Sequence, residues 1–258
     1  MAFLRHLRPT GVRRGLARRL TAAAAGLCLT IGLAACAGPQ RATDPLRPVS
    51  VGPKWPVKTR EHVDLWLHGY ALLLEDSATV PLFARGYRDL VTVEKNHRGV
   101  YTGLDSARRA LATTLRERPA LEGAQFLALY FGSWEELQRA LGYFLRAEGD
   151  PQNASNPEVR AIVGFLAQQF PRREDREWVR RYAAALESER ALFHHAWWVE
   201  QQRARQAGLA AADSLWQARW RPALQPFLNS TQQANGDLIP TVTLGGEGRA
   251  VPAGKLAS

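Results

Sequence analysis

From Thr59 to about residue 221 apolar side chains recur at steps of three and four, and that spacing confines the chain to helices packed on one another. Val63, Trp66, Leu67, Tyr70, Leu73 and Leu74 draw one such stripe and predict a helix over roughly 60–75. A second helix is expected over 80–97, and a third over 105–117 with Asp105 as its cap and Pro119 behind it. The run 126–131 is apolar on every side, and its helical neighbours decide for helix. Ser133-Trp134-Glu135-Glu136 has the form of a capping box before the stripe Leu137, Leu141, Phe144 and Leu145. Asn156-Pro157 is a cap followed by proline at the first helical position. The longest helix is predicted over 173–206 with stripe Val179, Tyr182, Leu186, Phe193 and Trp197. A last one is predicted over 209–221, where Pro222 and Pro226 force a kink or a restart. No period of 20–50 residues recurs, so the expected fold is all-α: an irregular bundle of seven or eight helices over 59–235 rather than a solenoid. Residues 236–258 lose the helical period and predict an extended tail or a hairpin around Gly245-Gly246-Glu247-Gly248. Such a tail needs packing partners, on the helices or in a segment beyond Ser258, because a lone hairpin is marginal in water.

The N-terminal residues are of another kind. Residues 1–19 hold six arginines and no acid, and residues 20–35 (LTAAAAGLCLTIGLAA) are apolar or small throughout. That is the order of a secretory signal, and 16 residues fall short of the ~20 a membrane-spanning helix needs. The ending Leu33-Ala34-Ala35-Cys36 resembles the lipobox of bacterial lipoproteins. The resemblance covers residues 1–36 only. It implies a signal peptide over 1–35, cleavage before Cys36, acylation of Cys36, and anchorage in a lipid bilayer of the cell envelope. Ala37 stands where many such proteins carry an inner-membrane retention aspartate, which points to the periplasmic face of the outer membrane. Residues 36–58, rich in proline, read as a tether.

Removal of residues 1–35 changes the electrostatics. The whole chain has 34 basic and 24 acidic residues; without the six arginines the excess falls from +10 to +4. No lysine-arginine cluster interleaved with aromatics follows, so nucleic acid is excluded as a partner. Cys28 leaves with the signal and Cys36 is the acylated residue, so the helical part has neither disulfide nor thiolate metal site. Its stability rests on packing, and the eight tryptophans, all beyond residue 36, supply a large core.

Chemistry-bearing motifs are few. No H-E-x-x-H, G-x-S-x-G, phosphate loop or dinucleotide fingerprint occurs. Asp64 and His68 stand one turn apart on the first helix, with Glu75 near the same azimuth; Glu187 and His194 share a face of the long helix. Asp64, His68, Glu187 and His194 are the candidate ligands of a divalent transition metal, since bundles build such sites from inward-facing carboxylates and imidazoles. The plainer alternative makes them polar borders of a core with i,i+4 partners. Arg190 falls inside the apolar stripe and requires a carboxylate, Glu187 or, from the first helix, Glu75 or Asp76, unless it binds an anion or snorkels to water; with Trp198 it is a candidate pocket residue. Trp198 is the one helical tryptophan off a stripe and the candidate pocket aromatic. Three functions fit: a non-enzymatic envelope lipoprotein binding a protein or small ligand, a helical metalloprotein or hydrolase, and the N-terminal piece of a longer enzyme.

Overall fold

The structure is a computed structural model that describes residues 55–74, 82–231, 233, 235–246, 248 and 250. Cys36 and the predicted signal lie outside the described residues, as do Glu75 and Asp76.

Among these residues the chain forms α1 (Glu61–Leu73), α2 (Tyr87–Arg98), α3 (Gly103–Glu117), α4 (Trp134–Arg146), α5 (Pro157–Gln169), α6 (Arg173–Glu189), α7 (His195–Leu215) and α8 (Arg221–Ser230). The expected all-α bundle is what is observed. The apolar run 126–131 belongs to a 3₁₀ helix, Pro119–Tyr130.

α1 is the centre. Every residue from His62 to Leu73 is buried, so the predicted stripe of an amphipathic helix is corrected: this helix is enclosed on all sides and takes polar His62, Asp64 and His68 inside with it. The 3₁₀ helix covers one side, where Trp66 Nε1 donates to the Ala124 carbonyl at 2.9 Å and the Tyr70 hydroxyl to Leu121 at 2.9 Å. α6 crosses the other side at Gly69. A Cβ there would lie 2.3 Å from the Tyr182 hydroxyl, so only glycine permits this approach, and the Tyr182 hydroxyl donates to the Trp66 carbonyl at 2.7 Å. Tyr182 also stacks on Trp178 with centroids 4.7 Å apart and meets Trp66 edge-on at 4.9 Å.

The helix starts follow side-chain chemistry. Asn156 caps α5 by accepting from the Val159 amide at 2.9 Å. Ser133 accepts from the Glu136 amide, while the Glu136 carboxylate turns back to the Gly132 amide at 2.7 Å, one residue earlier than a full box. The third helix differs from expectation: Thr102 is its cap, and Asp105 is the third helical residue that answers it, accepting from the Thr102 amide at 2.8 Å. α2 starts seven residues later than predicted, behind Gly86 in the left-handed region at φ 74°.

α6, α7 and α8 form one continuous helical rod from Arg173 to Ser230, joined by π turns at Arg190–His194 and Trp216–Trp220. The break expected near residues 206–209 is absent. Pro222 does not restart the helix either: a wide turn directly precedes it, where α geometry would bring its ring against the carbonyl four residues back.

The tail takes the extended alternative, not the hairpin. Leu238 pairs with the segment at Val57 and Leu244 with Phe83, through bonds such as Lys58 N to Leu238 O at 2.8 Å and Ala84 N to Thr243 O at 2.8 Å. It packs on the helices.

Candidate functional site

Where α1, α2, α3 and the α6–α7 junction meet, charged and polar side chains form a group whose centre is sealed from water and whose edge, at Asp105, is partly exposed. His68 and Glu189 have fully buried side chains, and Lys95 exposes 6 % of its own. His68 Nδ1 lies 2.8 Å from the Tyr87 hydroxyl, and its Nε2 lies 2.9 Å from Glu189 Oε1. The other Glu189 oxygen accepts from Lys95 Nζ at 2.7 Å and from the Thr102 hydroxyl. Lys95 also donates to both Asp105 oxygens at 2.9 Å. Burial pushes the Glu189 carboxyl up, but His68 and Lys95 outweigh it and hold the group down at about 2. The Tyr87 phenol is driven well up by burial and by the nearby Asp64 charge.

The π turn Arg190–His194 follows Glu189 directly and sets what faces inward. His194 is fully buried, 5.0 Å from the His68 ring centroid, and neither of its ring nitrogens has a partner. Burial and the surrounding positive groups push its imidazole well down, so it is neutral.

Asp64 faces a different neighbour set. Its Oδ2 accepts from Trp198 Nε1 at 2.7 Å and its Oδ1 from the Val242 amide at 3.1 Å, which ties the tail to α1. Burial pushes the Asp64 carboxyl up to about 6 in spite of those two donors. A raised carboxyl pKa means the folded state holds a proton that the unfolded state has lost. Between about pH 4 and pH 6 Asp64 therefore removes stability as pH rises, by about 3 kcal/mol at most across that window. Urea unfolding of the wild type against Asp64→Asn should show this slope in the wild type alone; parallel pH profiles would contradict it.

The four candidate ligands are thus brought only partly together. His68 and His194 are in ring contact and Asp64 is on the same buried helix, but Glu187 is exposed and turned to α4. It accepts there from Trp134 Nε1 at 2.6 Å and from Gln138 Nε2 at 2.5 Å. Among the described residues no three His, Cys, Asp or Glu side chains are gathered as a metal-holding group.

Arg190 forms the ion pair the sequence requires of it, with a carboxylate of α1 other than the two expected, and it lines a cleft beside Glu61 and Trp134. It is 27 % exposed and pairs with Glu61 at 3.0 Å, with Glu135 at 3.8 Å; the charge inside the stripe is Glu189, one residue earlier. Trp198 is half-buried and serves Asp64 as a hydrogen-bond donor. Tyr87, Lys95 and Thr102 belong to no motif that marks them in the sequence. For Glu189 a signal existed: Tyr182, Leu186, Glu189, Phe193 and Trp197 run at steps of four, three, four and four.

The order Tyr87–His68–Glu189 resembles a proton relay, with a carboxylate orienting an imidazole toward a hydroxyl. Two clefts of the described surface lie elsewhere: one of about 340 Å³ between α3 and α6 beside Ala107 and Ala184, and one of about 280 Å³ beside Glu61, His62, Trp134 and Arg190. The network joins α1 to α2, α3 and α6. No protein-family model, curated protein or solved structure matches the chain.

Proposed function

We propose that this is a lipid-anchored protein of a bacterial cell envelope, held through acylated Cys36 at the periplasmic face of the outer membrane, whose helical domain binds a partner and performs no chemistry. The anchoring half rests on the arginine-rich start, the 16-residue apolar run and the Leu33–Cys36 ending. The binding half is carried by one observation. His68, Glu189, Lys95 and Thr102 are buried and engaged with one another, whereas four of the large apolar side chains left exposed among the described residues are gathered on the far part of the rod: Leu215, Trp220, Leu224 and Phe227 are 41–58 % exposed.

Growth with a fatty-acid analogue tests the anchoring. The wild-type protein should take up the label and sediment with membranes, and Cys36→Ser should remain an unlabelled precursor. A soluble, unlabelled protein with its N-terminus elsewhere would refute the reading.

A further inference from the structure

We infer that the end of the rod, Leu215–Phe227, lies on an anionic phospholipid surface. The inference takes its location from the proposed anchoring, but its chemistry stands on the rod itself.

Beyond Trp197 the rod nearly leaves the core: α7 has no other buried residue, the second π turn has none, and α8 buries Leu228 alone. Its exposed apolar side chains are nonetheless ordered. A π turn closes from i to i+5, so Leu215 and Trp220, five apart across it, point to one side. Leu224 and Phe227 follow Trp220 at steps of four and three and continue that side. Upstream the same face passes through Gly208, where an added Cβ would meet nothing within 4 Å.

The charge on this stretch has one sign. Between residues 201 and 230 there are four arginines (Arg203, Arg205, Arg219, Arg221) and one carboxylate, Asp213. Asp213 is taken up on the inner side, where it accepts from the Val57 amide at 3.1 Å. Arg219 lies over the Trp220 ring at 5.1 Å, so cation and aromatic share the outer edge. A helix with Trp, Leu and Phe on one face and arginines at its border, without exposed acid, is built for the headgroup boundary of an anionic bilayer. A second copy is a poor occupant, because it would set Arg219 and Arg221 against their counterparts with no carboxylate to answer them.

The approach to α1 agrees. The Trp55 carbonyl, on the N-terminal side of α1, accepts from Gln217 on the inner side of this same stretch. Trp55 is 19 residues past Cys36, at most about 65 Å of extended chain.

Vesicles of brominated phosphatidylglycerol, which quench tryptophan only at the bilayer, test the inference on the purified full-length protein. Emission should be quenched, with loss of the effect in Trp220→Phe. The quenching should weaken in brominated phosphatidylcholine or at raised salt, and the Leu215→Ser/Phe227→Ser variant should lose it. Fatty-acid content of the same sample separates the two readings. Quenched but unacylated protein upholds this inference and sinks the anchor. Acylated, vesicle-bound protein with Trp220 unquenched overturns the inference and leaves the anchor standing. Concentration-dependent self-association blocked by Leu215→Ser/Phe227→Ser, or a protein cross-linked to position 227 in cells while vesicles leave Trp220 unquenched, also overturns it.

Discussion

Glu189→Ala should lower the stability of the domain by about 3–5 kcal/mol, the usual cost of breaking a buried ion pair. One carboxylate holds Lys95, His68 and Thr102, so its loss strands three polar groups at once. Asp105 still answers Lys95, which keeps the loss from growing further. Thermal unfolding would register a drop of roughly 10 °C, given 2–4 °C per kcal/mol in a domain of this size. The pH dependence adds a signature that packing cannot imitate. Because the Glu189 carboxyl is held down at about 2, its stabilisation is complete above its ordinary range and lost as pH falls toward 2. The wild type should lose stability across that acid window, and Glu189→Gln should lose much less. Lys95→Met/Glu189→Leu should recover the part of the deficit due to Lys95, since removing both members of that pair is cheaper than orphaning one, while His68 and Thr102 stay without the carboxylate. If Glu189→Ala unfolds within 1 kcal/mol of the wild type, the network is not what docks α2 and α6 on α1.

Trp66→Ala should cost a similar amount, about 3–5 kcal/mol, by a different route. The indole is fully buried between Tyr70 and Tyr182, and its Nε1 is the donor to the Ala124 carbonyl. Truncation opens a cavity at the middle of α1 and leaves a buried carbonyl unpaired. Trp66→Phe keeps part of the volume and loses the donor, so it should fall between the wild type and alanine. The acid limb should be unchanged in both variants, because Glu189 and its partners are not touched. Urea titration at two pH values distinguishes this pattern from the Glu189 series; a Trp66→Ala loss below 1 kcal/mol would mean the core collapses around the gap.

Much of the fold was legible because amphipathic spacing is local. The stripes of α4, α5 and α6 and the caps at Ser133 and Asn156 fell where the residues placed them. Boundaries were less secure where glycine or proline can be accommodated as well as disruptive. Gly208 sits inside the rod, and Pro222 is absorbed behind a π turn. The 3₁₀ helix could not be told from an α-helix, because an apolar run carries no period with which to count residues per turn.

The candidate site shows the same division. From the sequence alone follow the all-α class, the inventory of imidazoles and carboxylates, and the neighbourhood of Asp64 with His68 one turn away. Tertiary structure alone decided which charge goes inside. Glu189 and Arg190 both fit the stripe between Leu186 and Phe193, and the choice falls to Glu189 because Lys95, Thr102 and His68 reach it from three other helices. It likewise turned Glu187 away to Trp134 and left His194 inside without a partner. Spacing along one helix sets the direction of a side chain, but the cost of burying a charge depends on donors that lie 87–121 residues away along the chain, and only the packed bundle brings those within 3 Å.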